Sequence, residues 1–166
     1  MAVHYKFGNL LDAPVDYICH QVNCQGRMGS GIAKQIRERW PVVYTTYQEW
    51  CNYWDSQATM HGPQGPDLML GHIIMCHVSQ EQTVINMAAQ LNYGYDGRRY
   101  TSYDAFWSCL GEIKACVPKG SKIGFPAKIG CGLGGANWEV IFRMIEEVLG
   151  EDYQVYIYTL EEEKNV

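Results

Sequence analysis

The chain has 166 residues, 47% apolar and 19% charged, with a formal net charge of −5. That length suits one domain spanning residues 1–166 with a core that needs no staples, and that composition excludes a disordered chain. The negative balance argues against a protein that grips duplex nucleic acid through its phosphates, which takes a basic face.

Seven cysteines, an odd number with no C-x-x-C pair, read as reduced thiols in a reducing compartment. No Cys/His cluster has metal-ligand spacing, so neither a metal nor a cofactor is expected. The first six residues hold no apolar targeting core, and no apolar run is long enough to cross a bilayer. The expectation is a cytoplasmic protein, of a cell or of the host of a virus or phage, with no membrane partner.

In chain order, Val3–Phe7 alternates like a short strand and stops at Gly8-Asn9. Tyr17–Val22 reads as a buried strand. The glycine loop Cys24-Gln-Gly-Arg-Met-Gly-Ser-Gly-Ile-Ala33 follows, then a helix over Ile32–Arg39 that Pro41 ends. Val42–Trp54 is aromatic-rich and patterned as a helix, and Gly62–Pro66 reads as an exposed loop. Leu70–Val78 and Thr83–Met87 read as strands joined by a polar turn.

Asn92–Arg99 is a polar and aromatic loop. Tyr103–Val117 is a helix with Thr101 or Ser102 as N-cap and Pro118 beyond its end. Ser121–Phe125 is a strand, followed by a second glycine loop, Gly130-Cys-Gly-Leu-Gly-Gly135. Trp138–Leu149 is a helix stopped by Gly150, Tyr153–Leu160 is the last strand, and residues 161–166 read as a frayed tail. Strands alternate with helices, so the expected fold is a three-layer α/β/α sandwich around a largely parallel sheet.

A glycine loop between a strand and a helix aims free N–H groups and a positive helix end at an anion. Two such loops point to a diphosphate held between them. Gly26, Gly29 and Gly31 would allow close approach on one side, and Gly132, Gly134 and Gly135 on the other. The alternative is that these glycines only make tight turns. Neither loop is a P-loop or has dinucleotide-fold spacing.

Asn23 can bond a sugar hydroxyl, and His20 can serve as a base near neutral pH unless it is only a packed strand residue. Cys24 and Cys131 are conceivable nucleophiles, with loop packing the blander reading. Asp96, Arg98 and Arg99 could cap an anionic ligand or form a solvated turn.

Four segments, Gly8-Asn-Leu-Leu11, His20-Gln-Val-Asn23, Gly26-Arg-Met-Gly-Ser-Gly-Ile-Ala33 and Pro126-Ala-Lys-Ile-Gly-Cys-Gly-Leu-Gly-Gly135 with Trp138-Glu139, together resemble a macrodomain. The branch resembled holds ADP-ribose-1″-phosphate phosphatases, glycohydrolases that remove terminal ADP-ribose from proteins, and antitoxins that reverse DNA ADP-ribosylation. The resemblance runs from Gly8 to Leu160 and implies a mixed, mostly parallel six-stranded sheet with an ADP-ribose cleft over the strand ends.

By position, Asn9 and Leu10 would meet the adenine, Leu160 would line its pocket, and Asn23 would hold the distal ribose. Gly26, Met28, Gly29, Ser30, Gly31 and Ile32 would clamp the diphosphate against Gly130, Cys131, Gly132, Leu133, Gly134 and Gly135. Three positions depart from the pattern. Asn9 replaces an aspartate, Met87–Leu91 lacks one branch's lysine, and Gly134 replaces that branch's acid.

The implied activity is hydrolysis of ADP-ribose-1″-phosphate to ADP-ribose and phosphate. His20 would act as base or nucleophile beside Asn23, or Asn23 and loop amides would orient a water. The alternatives are a non-catalytic module that binds ADP-ribose or a related nucleotide, and an ADP-ribosyl hydrolase acting on modified protein or nucleic acid.

Overall fold

A computed structural model describes residues 3–61 and 68–160. Its strands are β1 (Val3–Phe7), β2 (Tyr17–Asn23), β3 (Ile73–His77), β4 (Thr83–Gln90), β5 (Lys122–Pro126) and β6 (Gln154–Thr159). They form one mixed sheet in the order β1-β6-β5-β2-β4-β3. Every neighbouring pair is parallel except the β3–β4 hairpin. Among the described residues four named α-helices cover it: α1 (Gly31–Arg39), α2 (Pro41–His61), α3 (Tyr103–Cys116) and α4 (Trp138–Leu149).

Side chains alternate along a strand, so each central strand feeds both faces of the sheet. Ile18, Val22, Val84 and Ala88 cluster with Ile36, Val43 and Tyr47 of α1 and α2. Cys19, Ile85 and Met87 cluster with Phe106, Leu110, Ile141 and Ile145 of α3 and α4. Two apolar layers sandwiching a mostly parallel sheet explain why β4 reads as an almost unbroken buried run.

Several boundaries move. Pro41 is the first residue of α2 rather than only a stop for α1, because a helix start has no use for the N–H that proline lacks. The 42–54 helix therefore begins at Pro41 and continues to His61. β3 is shorter than Leu70–Val78, because Gly71 turns the chain at φ +91. Ser102 is the cap of α3, accepting from the Ala105 N–H at 3.1 Å. Thr101 instead donates to the Gly130 carbonyl. The expected loop at Gly62–Pro66 and the whole tail, residues 161–166, lie outside the described residues.

Among the described residues no helix is long and apolar enough to cross a membrane. Nor does any group of three or more His, Cys, Asp or Glu among them offer a metal site.

The topology brings three loops together. Residues 24–30 leave the carboxyl end of β2 (loop 1), residues 127–137 leave β5 (loop 2), and residues 91–102 leave β4. In an α/β sheet this rim is where ligands sit.

Candidate functional site

A cleft of about 340 Å³ opens on that rim. Its floor is Gln21, Val22 and Asn23 of β2 with Gln90 of β4. One wall is Arg27 and Gly29–Ala33, the other Pro126–Gly130 and Gly132–Gly134, and Tyr93–Tyr95 close the mouth.

Loop 1 is organised by side chains. Asn23 Oδ1 accepts from the Gln25 N–H at 2.9 Å and the Arg27 N–H at 3.4 Å, while its Nδ2 donates to the Arg27 carbonyl at 2.9 Å. Met28, 1% exposed, plugs the loop into the core. Gly31 begins α1 at φ +59, and the Ser30 side chain makes no capping bond. The first N–H groups of α1 keep no intrahelical acceptor, and residues 30–33 at that helix start line the cleft wall.

Loop 2 is organised by its own backbone. Cys131 N–H donates to Lys128 O at 2.9 Å, Gly135 N–H to Gly132 O at 3.1 Å and Ala136 N–H to Gly130 O at 3.0 Å. The chain from β4 straps it down, with Tyr100 and Thr101 N–H donating to Gly134 O at 2.8 and 3.0 Å. Helix α4 does not aim its start at the cleft, because Asn137 caps it by accepting from the Glu139 N–H at 2.9 Å. Only the first glycine loop therefore supplies a helix end, and the second supplies turn amides.

Of the residues singled out from sequence, Asn23, Gly29, Ser30, Gly31, Ile32, Gly130, Gly132, Leu133 and Gly134 meet in the cleft. The others do not line it. Leu10 is 3% exposed and packs in the core, its Cδ1 lying 2.7 Å from where a Cβ on Gly124 would sit. Asn9 caps a short 3-10 turn by accepting from the Leu11 N–H, and Leu160 is exposed beyond β6. Met28 is core, and Gly26 backs onto a separate polar pocket with Cys24, Gln48 and Asp55. Cys131 turns away from the cleft, its thiol bonded to Ile129 O and pushed up by burial to about 11, and Gly135 packs on Arg98 and Arg99.

His20 needs a correction. It is fully buried, with Nε2 paired to the Asn86 side chain on β4 and Nδ1 without a partner among the described residues. Burial lowers its pKa to about 4, against a smaller opposing effect of the Asn86 bond. It is not among the residues lining the cleft, and full burial leaves it no exposed atom to meet a cleft ligand as base or nucleophile. Asp96, Arg98 and Arg99 pair among themselves and their loop: Arg98 with Asp96 at 3.3 Å, Arg99 over the Tyr103 ring at 4.5 Å.

The residues missed are Gln21, Gln90, Arg27, Lys128, Tyr93 and Tyr95. Gln21 Nε2 donates to Gln90 Oε1 at 2.7 Å and Thr101 Oγ1 at 2.8 Å, tying β2, β4 and α3's approach into one floor. Strand alternation could have flagged Gln21, two residues before Asn23. Nothing local flags Tyr93 and Tyr95.

No protein-family model matches the chain. Among curated proteins it is 25% identical over 156 residues to a DNA ADP-ribosyl glycohydrolase of Thermus aquaticus, covering 91% of this chain and 39% of that one. It is 38% identical over 53 residues to an ADP-ribose 1″-phosphate phosphatase of Aspergillus clavatus, 31% of this chain and 27% of that protein. Among solved structures, the macrodomain of Thermus aquaticus DarG superposes with a TM-score of 0.73 at 22% identity, covering 95% of this chain and 97% of that one.

The chain has the macrodomain fold. A second structure, Thermosipho africanus DarTG in complex with ADP-ribose, gives a TM-score of 0.71 at 19% identity over 98% of this chain and 43% of that one. The chain spans about two fifths or less of the length of the curated relatives it matches. Its cleft is where the fold's strand ends, an uncapped helix start and a turn-rich loop converge. Its ionisable lining is Arg27, Lys128, Tyr93 and Tyr95, with no carboxylate, imidazole or thiol among the described residues.

Proposed function

We propose that this macrodomain binds ADP-ribose in the cleft and hydrolyses ADP-ribose-1″-phosphate to ADP-ribose and phosphate. The observation that carries the reading is the charge of the lining: two cations and two sets of amides, and no carboxylate. Such a site favours a polyanion, and the 1″-phosphate adds charge to the diphosphate. The strand order supports one direction for the ligand. Asn9 and Leu160 lie after β1 and β6, loop 2 after β5, loop 1 after β2 and Gln90 at the end of β4. Adenine near the first pair would place the diphosphate between the loops and the distal ribose over Gln21, Asn23 and Gln90.

With His20 walled off, the nucleophile is a water. It attacks phosphorus, the bond from phosphorus to the C1″ oxygen breaks, and the departing oxygen keeps a proton from that water. Phosphoryl transfer of this kind depends on stabilising spread charge more than on a strong base, which Arg27, Lys128 and the loop amides can do. Glycosidic cleavage of ADP-ribose from a macromolecule ordinarily draws on carboxylates, and among the described residues none lines this cleft. The seven cysteines, all in the reduced form, support a reducing, cytoplasmic setting.

A second reading, binding without turnover, is favoured by one observation. The Asn23 oxygen, the natural holder of a water, is already engaged by loop 1. Phosphate release from ADP-ribose-1″-phosphate, measured beside calorimetric titration with ADP-ribose, separates the two. Turnover supports the hydrolase, tight binding without release supports the reader, and neither result overturns both.

A further inference from the structure

We infer that Tyr47 is a positioning residue of this cleft, latching loop 1 from behind, an inference that rests on the ADP-ribose reading above. Tyr47 lies on α2, a helix that contributes nothing to the cleft lining, and is fully buried. Its hydroxyl stands at the point where β2 ends and loop 1 begins. It donates toward the Asn23 carbonyl at 2.5 Å and Asn23 Oδ1 at 2.8 Å, and it accepts from the Gly26 N–H at 3.1 Å. The phenol has one hydrogen, so the two Asn23 oxygens share it.

The same Asn23 oxygen takes the Gln25 and Arg27 N–H groups, so residues 23–27 close around one hydroxyl. At the start of this hairpin, Cys24 N–H and Gln25 Nε2 donate to the Leu91 carbonyl at 3.1 and 3.0 Å; its tip is held less. Gly26 is at φ +76 with nothing within 4 Å of a Cβ built on it, and the Tyr44 hydroxyl reaches its carbonyl only at 3.5 Å. The residues directly downstream, Arg27 and Gly29–Ile32, are the ones that line the cleft. Burial pushes the Tyr47 phenol far above the usual tyrosine range, so it stays a proton donor at every physiological pH. A hydroxyl in the core of α2 therefore fixes where the anion-binding amides of loop 1 stand before any ligand arrives, which lowers the ordering cost of binding.

The test is Tyr47→Phe in the full chain, which keeps the ring and removes only the latch. ADP-ribose, which reaches loop 1, should bind about tenfold more weakly, the worth of one hydrogen bond. AMP, which reaches only the adenine end and first phosphate, should keep its affinity within about twofold. Amide exchange at Gly26 and Arg27 should quicken in the free variant, and Tyr44→Phe should change neither affinity nor exchange.

Equal loss for AMP and ADP-ribose would mean general loosening and would overturn the latch, as would unchanged ADP-ribose affinity. If the unmutated chain binds no ADP-ribose, the cleft reading fails separately. Exchange at Gly26 and Arg27 then decides the latch alone, and unchanged exchange overturns it.

Discussion

Loops 1 and 2 are both glycine-rich and opposite in construction. In loop 1 a Cβ at Gly26, Gly29 or Gly31 would meet nothing within 4 Å, and the backbone is held by Asn23, Tyr47 and Met28. In loop 2 a Cβ at Gly134 would lie 2.5 Å from the Gly130 carbonyl oxygen and against the Thr101 hydroxyl, and one at Gly135 would lie 2.9 Å from Arg98 O. Left-handed turns occur on both sides, at Gly26 and Gly31 and at Gly130 and Gly135; what differs is the open space beside the first set and the close packing around Gly130, Gly134 and Gly135. A glycine-rich run is thus one sequence signal with two physical causes.

The sharpest way to break that contrast is the same substitution in both loops. Gly134→Ala should destabilise the fold by about 3 to 4 kcal/mol, because neither neighbour is the far end of a flexible side chain. Urea unfolding measures it, and a loss below about 1 kcal/mol would show that loop 2 can re-form around a methyl group.

The strand that feeds loop 1 adds a pH dependence that loop 2 lacks. His20 titrates at about 4 in the fold and, unfolded, at its ordinary value of 6.5. Between those values the unfolded chain binds the proton and the folded one refuses it, so stability is complete above 6.5 and falls with pH. The loss approaches about 3 kcal/mol near pH 4. Unfolding at pH 7 and pH 4.5 should show this slope, and His20→Gln should flatten it. A slope that survives the substitution would remove His20 as its source.

Gly132 is the exception within loop 2, for nothing lies within 4 Å of its Cβ and it lines the cleft. Gly132→Glu should leave the melting temperature near that of the native chain while weakening ADP-ribose roughly 100-fold, about 2.7 kcal/mol, by filling and charging the anion's place. Retained affinity would put the diphosphate elsewhere. The smallest effect belongs to loop 1. Gly29→Ala, unstrained and uncrowded, should change stability by less than about 1 kcal/mol. A larger loss there would erase the distinction between the loops.

Much of this was readable from residues alone. Period-two and helical patterns located the six strands and four α-helices, because burial on two faces of a sheet leaves continuous apolar runs that local sequence displays, though α2 runs on to His61, well past Trp54. The glycine loops and Asn23 announced a cleft at the strand ends for the same local reason.

What sequence could not carry is direction and depth. Whether His20 faces a ligand or the core depends on which face of β2 the α1–α2 layer covers, and that is settled by packing with Asn86, 66 residues away. Leu10 and Met28 fit a ligand-contact motif yet fill the interior, because the core took their apolar surface first. Gln21, Gln90 and Thr101 become one floor only when β2, β4 and the approach to α3 are side by side. Tyr47 looked like one more aromatic in a helix until the fold set its hydroxyl against loop 1. The sequence by itself determined the layers and the loops, since those follow from local periodicity and backbone freedom. Which side chains reach the ligand was decided by the tertiary structure, since that depends on contacts between residues far apart in the chain.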